Sequence, residues 1–257
     1  MDLLLSNQVA IVTGASRGIG RAIAETLAAE GMKVVLVART QPELETVAAS
    51  LSVESLVQAF DLRRPESAEQ VVAETFRQFG RIDLLVNNAG ATRRGDFLAL
   101  TDKEWKDGFD LKFFGAMRLS RAAWPYLQAS EGRIVNIIGV GGRSGSAEFT
   151  IGGTVNAALM NLTKALADRG VRDGVRVNAV NPGSIVTERL QIRIRNYARD
   201  RNITVEEAAR QLPGEMKVAR FGNPDEIARA VAFLASPQAS YIQGTILDVD
   251  GGATRAL

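Results

Sequence analysis

A single α/β domain built on a doubly wound, seven-stranded parallel sheet is expected from three features of this chain. Short runs of apolar, mostly β-branched residues alternate with helical segments from end to end. Those runs are apolar throughout rather than at every second residue, the pattern of strands covered on both faces. The first of them also runs directly into a glycine-rich turn that opens a helix.

In chain order, the first strand is Val9–Thr13, and the helix after it spans Gly18–Glu30, with Ile19, Ile23, Leu27 and Ala28 on one face. Strand Lys33–Ala38 precedes a helix over Pro42–Leu51, and strand Leu56–Phe60 a helix over Pro65–Phe79. Strand Ile82–Val86 leads to a long helix over Asp102–Gln128. Strand Arg133–Ile138 runs into a Gly- and Ser-rich loop, Gly139 to Gly153, and a helix over Thr150–Gly170. After strand Val175–Val180 comes a long amphipathic insertion, Thr187 to Lys217, then helix Pro224–Ala235 and strand Thr245–Val249. Parallel strands joined by helices require right-handed crossovers, which put helices on both faces of the sheet. No repeat and no linker divides residues 1–257, so one domain with an insertion at about 187–217 is expected.

Composition narrows the chemistry. The chain has no Cys and no His, which excludes disulfides, thiolate nucleophiles, Cys-ligated zinc and the usual neutral-pH base. Proton transfer must fall to Tyr, Lys, Asp, Glu, Ser or water, and no metal site is expected. With 31 Lys plus Arg against 29 Asp plus Glu, the net charge is +2, too small for a nucleic-acid partner held by bulk attraction. The apolar runs are too short for a membrane span, and the opening MDLLLSN does not read as a signal peptide, so a cytoplasmic protein is expected.

The turn Thr13-Gly14-Ala15-Ser16-Arg17-Gly18-Ile19-Gly20 has the makings of a phosphate cradle. Its glycines let backbone approach a pyrophosphate, and the helix behind offers free N–H groups and a positive end. An NAD site places a carboxylate at the end of the second strand, where it repels a 2′-phosphate. Here Ala38 is followed by Arg39, and Arg17 stands in the glycine turn, so NADP(H) is expected over NAD(H).

With Asn87-Asn88-Ala89-Gly90, Asn181-Pro182-Gly183 followed by Ile185 and Thr187, the stretch Phe221 to Ala228, and Val249-Asp250-Gly251-Gly252, the chain resembles the short-chain dehydrogenase/reductases over essentially its whole length. The resemblance implies a Rossmann-type fold and a homo-oligomer, dimer or tetramer. It implies that Gly14, Ser16, Arg17, Ile19 and Gly20 hold the pyrophosphate and adenosine ribose. Asp61 and Leu62 would then flank the adenine, Asn87, Ala89 and Gly90 would line the adenosine side, and Pro182, Gly183, Ile185 and Thr187 would meet the nicotinamide carboxamide. The family's reaction, hydride exchange between nicotinamide and an alcohol or carbonyl, uses a Tyr with a Lys four residues later, a Ser and an Asn. Register places the Ser at Gly139, the Tyr at Gly152, the Lys at Asn156 and the Asn at Lys112. All four positions thus carry other residues, which leaves Lys112 and Asn156 as the catalytic candidates.

Three functions follow as alternatives: an oxidoreductase with an atypical proton relay; a lyase, dehydratase or isomerase using Lys112; and an inactive cofactor-binding sensor or partner subunit. The substrate would be a small molecule. Arg189, Arg193, Arg195, Arg199 and Arg201, interleaved with Leu190, Ile192, Ile194 and Tyr197, lie where the family has its substrate lid. Arg93, Arg94 and Arg143 add charge near the same mouth, which would suit an anionic substrate, and Tyr197 is the phenol a closing lid could deliver.

Overall fold

The computed structural model describes residues 1–255. Its strands are β1 (Val9–Thr13), β2 (Lys33–Ala38), β3 (Ser55–Ala59), β4 (Leu84–Asn87), β5 (Arg133–Ile137), β6 (Arg176–Pro182) and β7 (Ile246–Val249). They form one sheet in the order β3-β2-β1-β4-β5-β6-β7, every pair parallel. The order reverses between β1 and β4, which opens a crevice at the carboxyl ends of the strands. The helices are α1 (Gly18–Ala29), α2 (Gln41–Ser50), α3 (Ser67–Phe79), α4 (Asp102–Phe109), α5 (Gly115–Ala129), α6 (Thr150–Asp173), α7 (Glu188–Arg201), α8 (Val205–Glu215) and α9 (Pro224–Ala235).

Alternation along each strand feeds two cores. Ala10, Val12, Val34 and Leu36 point to one face, where Ile23 and Leu27 of α1 meet Val231 and Leu234 of α9. Val9, Ile11, Val35 and Leu85 point to the other, beneath Val71 and Val72 of α3 and Leu119, Ala123 and Leu127 of α5. Burying each of these side chains contributes about 1.5–3 kcal/mol. The doubly wound architecture expected from the alternation is therefore present. No helix among the described residues is long and apolar enough to cross a membrane.

Two expectations need correction. The helix expected over Asp102–Gln128 is not continuous: Asp110–Phe114 form a π-helical turn between α4 and α5. Lys112 sits inside that turn and reaches a carbonyl at the end of β5, a tertiary contact that periodicity does not register. Likewise, the Gly/Ser-rich loop expected to reach Gly153 stops short of it: α6 begins at Thr150, as expected, and includes Gly152 and Gly153. The 187–217 insertion folds into α7 and α8, which share a small core of Leu190, Ile194, Ala198, Ala208 and Leu212.

Candidate active site

The glycine turn is tight because backbone lies against backbone. Gly14 adopts φ +66°, and a Cβ on Gly20 would fall 2.2 Å from the Gly14 carbonyl oxygen. Thr13 fixes this turn to the β4 end: its hydroxyl donates to Val86 O at 3.1 Å and accepts from the N–H groups of Asn88 and Ala89, each at 2.9 Å. Asn88 Nδ2 donates back to Thr13 O at 2.8 Å. Ser16 and Ile19 are half-buried on the same turn. The N-terminus of α1 has no side-chain cap and no acid in its first turn, whereas Thr101–Glu104, Thr204–Glu207 and Asn223–Glu226 close those of α4, α8 and α9. Free N–H groups and the positive helix end are thus left for an anion, which fits a dinucleotide pyrophosphate.

Arg17 and Arg39 have different surroundings. Arg17 donates to Glu188 at the start of α7 at 2.6 Å, both side chains exposed, because Glu188 is the acid within its reach. Arg39 instead lines an open cleft of about 560 Å³ with Asp61, Arg63 and Arg64. The Asp61 carboxylate is occupied by the Arg63 guanidinium at 2.6 and 3.0 Å, which holds its pKa below the ordinary value. Leu62 is buried, with its carbonyl against Gly115. Asn87 donates to Ser120 Oγ and Asn136 Oδ1, and its own buried Oδ1 is left without a partner. Pro182 closes β6, Gly183 donates to Val249 O, and Thr187 Oγ1 donates to Ile185 O.

Lys112 and Asn156, 44 residues apart in the chain, meet at the ends of β5 and α6. The Lys112 ammonium donates to Ile138 O and, at 2.6 Å, to Asn156 Oδ1. Asn156 Nδ2 donates to Gly139 O at 3.2 Å, and the Gly139 N–H donates to Asn181 Oδ1 at 2.8 Å. Desolvation of the ammonium, with the Arg189 charge beside it, brings the Lys112 pKa down to about 7. Gly139 has φ +129° and ψ 137°, where an L side chain is strained, and a Cβ there would lie 3.1 Å from Asn156 Nδ2. The Phe149 ring covers Gly152 so closely that a Cβ on Gly152 would fall 2.0 Å from it.

At the mouth, Arg94 Cζ stands 4.1 Å from the Phe149 ring centroid. Arg189 donates to Gly90 O at 2.9 Å, and the Lys112 stem packs on the same glycine. Desolvation lowers the pKa of both arginines, Arg193 adding its charge at Arg94 and Arg17 at Arg189. Three residues expected here are engaged by other partners. Arg143 pairs with Asp248 at 3.0 Å, and Arg93 with Glu104 at 3.5 Å. The Tyr197 hydroxyl donates to Glu215 of α8 at 2.8 Å, so this phenol is engaged between α7 and α8.

Residues 14–254 match the protein family described as Enoyl-(Acyl carrier protein) reductase. The 3-oxoacyl-[acyl-carrier-protein] reductase FabG of Vibrio cholerae serotype O1 is 38% identical over 249 residues, 96% of this chain and 98% of that protein. The short-chain reductase protein NovJ of Streptomyces niveus is 38% identical over 248 residues, 95% of this chain and 93% of that protein. The chain belongs to the short-chain dehydrogenase/reductase family. Among short-chain dehydrogenase/reductases of known structure, L-sorbose reductase from Gluconobacter frateurii, complexed with NADPH and L-sorbose, superposes with a TM-score of 0.94 at 33% identity, covering all of both chains. YwfH, an NADPH-dependent reductase involved in bacilysin biosynthesis, superposes with a TM-score of 0.92 at 29% identity over 98% of this chain and all of that one.

Sequence reasoning singled out neither Thr13, Asn88 and Asn181 as the braces of the site nor Phe149 as its aromatic wall. The first three stand inside the motifs themselves, which is the signal that could have found them. For Phe149 the only signal is that it is the loop's single aromatic residue.

Proposed function

We propose that this chain is an NADP(H)-dependent oxidoreductase that interconverts a carbonyl compound and an alcohol, with Lys112 exchanging the proton at the substrate oxygen. The observation that carries this reading is the pair of acceptors on Lys112 Nζ, Ile138 O and Asn156 Oδ1. An ammonium has three donors, so two are engaged and one is left for the substrate. A neutral amine has two donors and a lone pair: both acceptors stay satisfied, and the lone pair occupies the third position. Proton transfer therefore costs no internal hydrogen bond in either direction, and a pKa of about 7 suits both acid and base duty. Relative to the family pattern, the Ser and Tyr positions hold Gly139 and Gly152, while Lys and Asn have changed places between Lys112 and Asn156.

The nicotinamide, when bound, supplies or accepts the hydride. Gly14, Ser16, Arg17, Ile19 and Gly20 would hold the pyrophosphate, and Arg39, with Arg63 and Arg64 beside it, the 2′-phosphate. Asn156 orients the ammonium, and Gly139 orients Asn156. In this reading α7 and α8 form the substrate lid of a one-domain chain, the substrate is a small molecule whose negative charge suits the arginines of the mouth, and the protein is cytoplasmic and, as the family resemblance implies, a homo-oligomer.

Calorimetric titration should give saturable NADPH binding, with NADH weaker by about tenfold or more, the order of one charge-assisted contact. In a carbonyl screen followed by NADPH oxidation, Lys112→Met should bind NADPH unchanged and lose at least about 100-fold in turnover. Equal turnover in that variant would remove the proposed role. The same proton-exchange geometry needs no hydride, which favours a lyase, dehydratase or isomerase as the second reading, and activity persisting without nucleotide would select it. A subunit without chemistry is the poorer reading, because a desolvated lysine costs stability that a solvated residue would not.

A further inference from the structure

Resting on the reading of the Lys112 pocket as the reaction site, we propose that Arg94, Arg189 and Arg193 form a clasp for an oxyanion of the substrate, which makes the substrate an acidic carbonyl compound or alcohol bearing a carboxylate or a phosphate. Two sides of the pocket supply the clasp. Arg189 and Arg193 lie one turn apart on α7 and so project from one face of that helix. Arg94, from the loop after β4, stands over Phe149, the ring that covers Gly152. Arg189 is fixed by its bond to Gly90 O, on the glycine that also carries the Lys112 stem. Arg189 thus stands beside Lys112, and Arg94 beside the ring that walls Gly152, with the Arg193 charge acting on Arg94.

What singles them out is the absence of counter-charge. Five other arginines nearby have acids: Arg17 has Glu188, Arg93 has Glu104, Arg143 has Asp248, Arg199 has Asp200 and Arg201 has Glu215, while Arg195 of α7, also without an ion pair among the described residues, stands two residues from Arg193 and so on another face of the helix. Arg94, Arg189 and Arg193 have no carboxylate at ion-pair distance among the described residues, although Glu148 acts on Arg94 from farther off. The three side chains are exposed, so an anion can reach them; like charges gathered there repel one another until an anion joins them, and planar guanidiniums bind carboxylate and phosphate bidentately. The dinucleotide's pyrophosphate can answer only part of this charge: Arg189 stands near Arg17 of the glycine turn, but Arg94 is held on the α6 side by Phe149.

The test is calorimetric titration of malonate, inorganic phosphate and the neutral malonamide into the protein, with and without saturating NADPH. Saturable binding of malonate or phosphate is expected, with no binding of malonamide, and whichever anion binds identifies the head group as carboxylate or phosphate. Arg94→Gln and Arg193→Gln, on separate elements, should each weaken that binding by about tenfold or more while leaving NADPH affinity within about twofold. Malonamide binding as well as malonate, neither anion binding, or both variants binding like the parent would overturn the clasp. Failure of NADPH to bind would overturn the oxidoreductase reading alone, because the nucleotide-free titration still reads the clasp.

Discussion

Lys112 carries the sharpest dependence on pH. Its pKa of about 7 lies far below the ordinary lysine value because the ammonium is desolvated and Arg189 stands nearby. With Lys112 as the proton donor proposed above, carbonyl reduction would need the ammonium, so kcat/KM for reduction should be level below pH 7 and fall about tenfold per unit above it. Alcohol oxidation needs the free amine and should fall below pH 7 instead. Lys112→Arg, which cannot deprotonate, should abolish both limbs of the profile. Gly152 gives a second outcome at this scale. Gly152→Tyr drives a Cβ into Phe149, so the single variant should lower the melting temperature, and adding Phe149→Ala should recover most of the loss. The sequence announces Lys112 and Asn156 separately, by register. It cannot announce their contact, because that depends on how far α4 and α5 are rotated against α6.

Between elements, the first turn of α7 is tied to the glycine turn by Arg17–Glu188 and to the β4 loop by Arg189–Gly90. In the proposed cofactor site, the first of these ties would compete with phosphate for Arg17. Both side chains are exposed, so the pair is worth at most about 1 kcal/mol. Glu188→Gln should therefore tighten NADPH binding by no more than about fivefold, and the gain should shrink at high salt, as Kd measured at two ionic strengths would show. Strands and helices were largely legible because their signals are local. Val9–Thr13, Lys33–Ala38 and Pro224–Ala235 have the expected bounds. The π-helical turn was not legible, because the contact that accompanies it, Lys112 to Ile138 O, is made across the fold. The direction of Arg143 was equally hidden, since Asp248 lies 105 residues away.

The whole molecule depends on two cores joined through a sheet whose central strands are buried on both sides. Leu27 is fully buried where α1 packs on α9. Leu27→Ala should cost about 2–5 kcal/mol, measurable by urea unfolding, with NADPH affinity little changed in the folded fraction. The sheet order also has a consequence for the timing of assembly. β1 pairs with β2, close behind it, but its other flank waits for β4, more than seventy residues downstream. As the chain leaves the ribosome, a β-α-β-α-β half can gather while one side of its innermost strand lies bare. An open, flat, apolar strand edge is a template for other chains. Nascent chains that stall before β4 emerges should therefore depend on chaperones, and a fragment ending at Phe79 should aggregate where one ending after Ile137 stays in solution longer.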